Sequence, residues 1–398
     1  MTARPVYLHA LGVACAVGRG KAHVAAGLFQ GEQGGMVPRP DLMISNLPIP
    51  AGVVSGDLPD LPQTLDCFSS RNSRLMTLVI QEIQAEIDAA VAEVGPERVA
   101  VVLGSSTSGI AEGEAAIAHL LRQGDLPPAY DIRRQEMGSV AEVAARQLGL
   151  AGPAYTISTA CSSGAQALAA GRRLLLTGLA DVVLAGGVDT LCRLTMNGFD
   201  ALSVLSRRIC NPFSRNRDGT SLGEGAALFL MRREPAAVAL LGTGSTSDAY
   251  SMTAPDPDGR GIAAAMGQAL RQAGLEATAV DYVHLHGTGT LQNDHMESRA
   301  MQRIFPQGVP CSSSKPQLGH TLGAAGALGA AASWLTLSDE NVDGLLPPHL
   351  WDGDVDPGLL SATLVRRGET LRRKGQGVVM VNACAFGGNN ISLVLGRL

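Results

Sequence analysis

The chain has 398 residues, 45% of them hydrophobic and only 4% aromatic, with 48 glycines and a formal charge of −5. That length and hydrophobic content can bury a large core, in two or three domains or in one compact α/β body. The mild acidity, with no lysine- or arginine-rich stripe, argues against a nucleic-acid surface. No apolar run approaches the roughly 18 residues of a membrane span.

The cysteines at 15, 67, 161, 192, 210, 311 and 384 lie far apart with no Cys-x-x-Cys spacing. Neither a disulfide framework nor a structural zinc site is expected, and a reducing cytoplasm fits best. The opening MTARPVYLHALGVACAVGRG has the apolar run of a short signal peptide, but His9 and the early glycines interrupt it. It reads equally well as a first strand and turn.

In chain order, helical periodicity predicts Arg74–Val94, Val140–Leu148, Gly164–Leu176, Gly261–Ala273, Asp294–Ile304 and Ala324–Leu337. Short apolar runs predict strands at Val101–Leu103, Ala154–Ser158, Val182–Ala185, Ala226–Met231, Tyr282–His286, Gly377–Asn382 and Ile391–Leu395. Their alternation indicates a layered α/β architecture. Residues 31–65 and 343–370, rich in Pro, Gly and Asp, read as excursions from the core, and Arg207-Arg208 and Arg366-Arg367 as solvated loop charges.

A faint internal echo runs through the chain. YTISTACSSGAQALAAGRRLLL reads as strand, small-residue turn and Ala-rich helix, and PCSSSKPQLGHTLGAAGALGAAASWLTL repeats that order. DGTSLGEGAALFLM and NACAFGGNNISLVL each end a half with a Gly-rich bend and an apolar strand. Two similar halves, 1–235 and 236–398, sharing reactive groups at one junction, would explain this.

Four places offer chemistry. Cys161 stands just before a helix, where free N–H groups and the dipole favour a thiolate and lower the thiol from about 8.5. The same cysteine also reads as a small packed residue beside an N-cap. In YVHLHGTGTLQNDHMESRA, His284 and His286 share a strand face before a Gly/Thr turn. His-x-His with Asp294, His295 and Glu297 raises a metal reading, but no standard ligand spacing is met. Asp294 and Glu297 also suit the capping of the helix that follows. In SSSKPQLGHTLGAAG, Lys315 precedes a proline, which biases it toward extended backbone. His320 heads a helix, where the local field holds imidazole neutral. In NACAFGGNN, Gly387-Gly388 permits a bend that turns backbone amides toward a ligand, and Phe386 either packs or lines a tunnel. No GxGxxG, Walker sequence or GxSxG elbow is present; GSSTSG does not supply one. One cysteine and two histidines suit a carbon–carbon condensation through an acyl thioester, which has one nucleophile and two places where negative charge accumulates.

TACSSG around Cys161, NPFSRNRDGTSLGEGA at 211–226, HGTGT at 286–290, SSSKPQLGHTLGAAG at 312–326 and AFGGNN at 385–390 occur in that order. Together they make the chain resemble the elongating β-ketoacyl-acyl carrier protein synthases of fatty-acid and polyketide synthesis, over about residues 5–396. The resemblance implies a thiolase-like, five-layered α-β-α-β-α fold and a decarboxylative Claisen condensation of malonyl carrier protein with an acyl primer. It implies that Cys161 takes the primer and that His286 and His320 promote decarboxylation, with Lys315 supporting them. Glu297 corresponds to the acidic residue that organises the surroundings of this lysine, and Phe386 to a gate beside the cysteine. His284 reverts to a structural role. No cofactor or metal is implied. The implied partners are an acyl carrier protein and either a second copy of the chain or a chain-length-factor-like homologue.

Cys384 and Ala385 stand where the common fatty-acid enzymes carry Phe and Gly, and Ser214 where aspartate is usual. These departures point to an altered pocket wall and gate, and a polyene or aryl-polyene pathway becomes plausible. The alternatives are a thiolase or acyltransferase on CoA thioesters, for which Cys384 offers a second thiol, and a non-catalytic, length-setting partner subunit.

Overall fold

The computed structural model describes residues 4–359, 363–372 and 376–397; residues 360–362, within the second excursion, lie outside the described residues. Ten strands carry the architecture. They are β1 (Val6–Cys15), β2 (Val99–Gly104), β3 (Ala154–Ile157), β4 (Val182–Asp189), β5 (Gly225–Arg232), β6 (Ala239–Ser247), β7 (Tyr282–His284), β8 (Pro310–Ser312), β9 (Gly377–Cys384) and β10 (Asn389–Arg397). The first five lie in the order β1-β5-β4-β2-β3 and the second five in the order β6-β10-β9-β7-β8. In both sets the first two pairings are antiparallel and the next two parallel. The topology is therefore repeated strand for strand. β1 and β6 join the sets through Val6 opposite Leu240 and Tyr7 opposite Ala239. The opening segment is thus a buried central strand.

Helices form the remaining layers: α1 (Arg71–Gln81), α2 (Gln84–Val94), α3 (Ile110–Gln123), α4 (Ser139–Gln147), α5 (Ser163–Leu176), α6 (Arg193–Ala201), α7 (Arg260–Ala273), α8 (Leu291–Ile304) and α9 (Ala325–Leu337). α1 and α4 cover the outer face of the first half-sheet, and α7 and α8 that of the second. α5 and α9 lie between the two, buried nearly all round. This is the five-layered thiolase-like α/β fold. A helix enclosed on all sides is apolar and small rather than amphipathic, which accounts for the Ala/Gly runs of both helices. A Cβ on Gly164 would stand 2.8 Å from Ala327 Cβ, and one on Gly326 would stand 2.7 Å from Ala165 Cβ. The two central helices touch backbone to backbone at their N-terminal ends.

The single helix expected over Arg74–Val94 is two, broken at Glu82–Ile83. Glu82 accepts the Val13 N–H at 2.8 Å, and Gly12 lets β1 come so close that a Cβ would stand 2.1 Å from Val79 O. Contact with the sheet, invisible to periodicity, redirects the chain there. The strand expected over Tyr282–His286 stops at His284, leaving His286 in the following loop.

Candidate active site

Cys161 lies in the tight connection between β3 and α5. Ala160 adopts φ +50°, a conformation that L-residues avoid, and Cys161 follows it. Hydroxyls hold this turn closed. Ser162 Oγ donates to Thr159 O at 2.8 Å, Ser163 Oγ to Ala160 O at 2.6 Å, and Thr159 N–H donates to Ser163 Oγ at 2.9 Å. The serines flanking the cysteine therefore shape the turn.

The thiol is 6% exposed and faces the backbone N–H groups of Phe386 and of Cys161 itself. The expectation of a lowered thiol pKa is corrected. Burial pushes the thiol up to about 11, and the charge of Lys315 and the two N–H groups only partly oppose it. The resting group is a neutral thiol.

His320 Nε2 stands 3.1 Å from Cys161 Sγ. Its backbone is held by its N–H donating to Ser221 O at 2.6 Å and by Gly223 N–H donating to its carbonyl at 3.0 Å. The His286 ring lies 5.3 Å from that of His320, centroid to centroid, nearly perpendicular at 87°. Burial, aided by the charge of Lys315, holds both imidazoles well below the ordinary histidine range, so both are neutral. The cause is desolvation with a neighbouring cation, rather than the helix field expected from sequence.

Lys315 starts a one-turn helix, Lys315–Leu318, in place of the extended backbone expected ahead of proline. Pro316 falls in the first turn, where its missing N–H costs nothing. The buried Lys315 ammonium donates to the His286 carbonyl, and burial lowers its pKa. Glu297, on α8 and fully buried, accepts the N–H groups of His286 and Gly287 at 2.8 and 2.7 Å. Burial pushes its carboxyl up to about 7. Lysine and glutamate thus grip residue 286 from its two backbone ends. Asp294 accepts Phe213 N–H at 2.8 Å and Gly289 N–H at 3.2 Å. Neither carboxylate caps α8; Thr290 does, accepting Asn293 N–H. Among the described residues no three His, Cys, Asp or Glu side chains make a metal-binding group. His284 bonds Ser314 Oγ at 3.0 Å, away from this cluster.

Gly387 and Gly388 both take positive φ, but their amides do not face the site. Gly387 N–H donates to Met252 O and Gly388 N–H to Ala385 O. The amide that reaches the sulfur belongs to Phe386. The Phe386 ring, 36% exposed, stacks on Phe199 at 5.5 Å and 24°. Phe199 in turn meets His320 edge-on at 6.3 Å and 72°. Phe199, on α6, has no motif around it; the only sequence signal was an isolated aromatic in an aromatic-poor chain. Cys161, Phe199, His286, His320, Cys384 and Phe386 line a cavity of about 390 Å³. Burial holds the Cys384 thiol well above the ordinary cysteine range. At the missing aspartate, Ser214 Oγ donates to Asp352 at 2.8 Å, so a carboxylate is supplied from another loop.

The beta-ketoacyl synthase N-terminal domain matches residues 68–237, and its C-terminal domain matches residues 237–350. The 3-oxoacyl-[acyl-carrier-protein] synthase 2 of Rhizobium meliloti is 32% identical over 363 residues, covering 83% of this chain and 84% of that protein. Among solved structures, a ketosynthase (ApeO) in complex with its chain length factor (ApeC) from Xenorhabdus doucetiae superposes with a TM-score of 0.94. It is 40% identical, and the match covers 99% of this chain and 98% of that one. The ishigamide ketosynthase/chain length factor matches with a TM-score of 0.88 at 28% identity over the full length of both chains.

Proposed function

The chain belongs to the β-ketoacyl synthase family, enzymes that form carbon–carbon bonds by acyl transfer, and we propose that Cys161, His286 and His320 perform a decarboxylative Claisen condensation on carrier-bound thioesters. The observation that carries this reading is the 3.1 Å contact of Cys161 Sγ with a buried His320, with His286 beside it on the same cavity.

The chemistry begins from a neutral pair. Cys161 sulfur, with His320 Nε2–H donating to it, attacks the carbonyl of an acyl carrier thioester as its own proton is released. The carrier thiolate leaves and takes that proton, so the enzyme holds the acyl group as a thioester. The second substrate, a malonyl thioester, loses its carboxylate as CO2. The electron pair left on its enolate oxygen meets neutral imidazole N–H groups of His286 and His320, which donate to it without a competing charge. The enolate carbon attacks the acyl carbonyl, whose oxygen becomes anionic opposite the N–H groups of Cys161 and Phe386. Collapse of this intermediate expels the Cys161 sulfur, which takes up one proton. The products are a 3-oxoacyl carrier thioester and CO2. Lys315 and Glu297 act through residue 286, as positioning groups.

The two halves, 1–235 with the nucleophile and 236–398 with the histidines, meet at this site. The partner in this reading is a chain-length-factor-like homologue, as in the two ketosynthase complexes that this chain resembles, and the acyl carrier protein delivers both substrates. In this reading the reaction belongs to the cytoplasm, whose reducing conditions suit seven widely spaced cysteines with no Cys-x-x-Cys pair. The test is intact-mass analysis of acyl loading across a panel of acyl carrier proteins, coupled to CO2 release from malonyl carrier protein, alone and with the partner. An adduct of acyl mass on wild type and none on Cys161→Ala is expected. Carbon–carbon bond formation persisting in Cys161→Ala would sink the reading.

A further inference from the structure

Asp189 ends β4 with no exposure to solvent, and its carboxylate gathers six donors. Oδ1 accepts Ser105 Oγ–H at 2.7 Å, Thr107 N–H at 2.9 Å and Thr107 Oγ1–H at 2.8 Å. The Ser106 N–H is shared between the two oxygens at 2.9 and 3.0 Å. Oδ2 accepts Ser106 Oγ–H at 2.5 Å and, from the other half of the molecule, Gly323 N–H at 2.6 Å. A carboxylate, with acceptors only, suits a place where every neighbour donates; an amide would turn its own NH2 toward other donors.

Gly323 lies three residues beyond His320. Between them Leu322 sits at φ +50°, a left-handed conformation that a leucine keeps only where its surroundings over-determine it. The contact is close: a Cβ on Gly323 would stand 2.6 Å from Asp189 Oδ2 and 2.7 Å from Ser106 N. His320 is therefore anchored on one side by its pairing with Ser221 and Gly223, and on the other by Asp189. Its Nδ1 is buried without a hydrogen-bond partner among the described residues, so no bond from them fixes the ring orientation from behind. In catalytic histidines that bond usually comes from a carboxylate or carbonyl.

We propose that Asp189 is a positioning residue of the condensation, orienting His320 through the backbone turn at Leu322–Gly323 in place of the imidazole hydrogen bond that this ring lacks. The inference rests on the condensation reading. A displacement of His320 by about 1 Å would cost roughly 100-fold in turnover.

Two variants test it. Asp189→Asn keeps the size of the side chain and removes its charge; Gly323→Ala keeps the charge and wedges the clamp open. In both, kcat for condensation should fall roughly 100-fold, with KM for malonyl carrier protein changed by less than about 3-fold. Iodoacetamide labelling of Cys161 against pH, which needs no substrate, should move to lower pH in Asp189→Asn, because a negative charge near the thiol is gone. It should stay in place in Gly323→Ala. Wild-type turnover in Asp189→Asn, or a loss there that falls on KM rather than kcat, overturns the proposal. If Asp189→Asn does not fold, Gly323→Ala decides: unchanged kcat in that variant overturns it equally. A wild-type protein that loads no acyl group defeats the condensation reading instead, and the labelling profile still tests the link between Asp189 and Cys161.

Discussion

The connections from β3 to α5 and from β8 to α9 occupy equivalent places in the repeated topology, yet they are built for different tasks. The first crosses residues 158–162 in one tight turn, held by its own hydroxyls, and presents a single reactive atom, Cys161 Sγ. The second runs through residues 313–324, winds through the Lys315–Leu318 turn and the strained Leu322, and is held from outside. Asp189 bonds it at Gly323, and His349 accepts the Ser313 N–H at 3.2 Å while bonding Pro212 O at 2.9 Å. One junction fixes an atom and the other arranges charge. The chemistry arises because Gly164 and Gly326 let the two helix heads touch.

The sharpest way to break this division of labour is to empty one junction at a time. Replacing His320 by Ala should cut condensation by 10²- to 10⁴-fold, the usual contribution of a positioned imidazole and a developing-charge donor. Acyl loading and CO2 release measured separately would show which step fails first. Prising the junctions apart comes next. Gly164→Val puts side-chain atoms where Ala327 already stands, and should cost about 1–3 kcal/mol in urea unfolding.

A third effect separates the halves by pH. His349, buried with both ring nitrogens engaged, has its pKa pulled down to about 4 by burial, whereas the unfolded chain takes up the proton near 6.5. The stability from keeping it neutral is complete above that unfolded value and drains away as pH falls toward 4. Between pH 6.5 and 5 the loss is about 2 kcal/mol. His349→Gln should be less stable than wild type at pH 7 and lose less on acidification, as thermal melts at the two pH values would report. The smallest effect is relief of strain. Ala160→Gly should gain at most about 1 kcal/mol in the same unfolding assay, since glycine accepts φ +50° freely. A loss of stability there would mean that the Ala160 methyl is needed for packing.

Much of this candidate site is legible in the sequence. Cys161, His286, His320, Lys315 and Phe386 are ambiguous one by one and stand out because their motifs together resemble those of the β-ketoacyl synthases. Seven of the ten strands and the two Ala-rich helices are legible from local patterning, whereas β6, with glycines at 242 and 244 against α7, is not. What escaped depends on partners distant in sequence. Asp189 ends an ordinary apolar strand, Phe199 lies on a surface helix, and His349 stands in a proline-rich excursion; each acquires its role only from segments that fold against it. The thiol of Cys161 illustrates the same limit. Its helix-head position argues for a lowered pKa, but burial opposes that locally visible effect and is larger.

The shared strand β1 has a consequence for how the chain is made. Apart from the short pairing of Ala14 and Cys15 with Arg19 and Gly18, its partners begin at Gly225 and at Ala239, so most of an apolar strand waits unpaired while both emerge. Contacts this distant in sequence form slowly, and an unpaired apolar strand is exposed to wrong partners in the meantime. During synthesis the vulnerable element is therefore one that ends mostly buried at the centre of the finished fold.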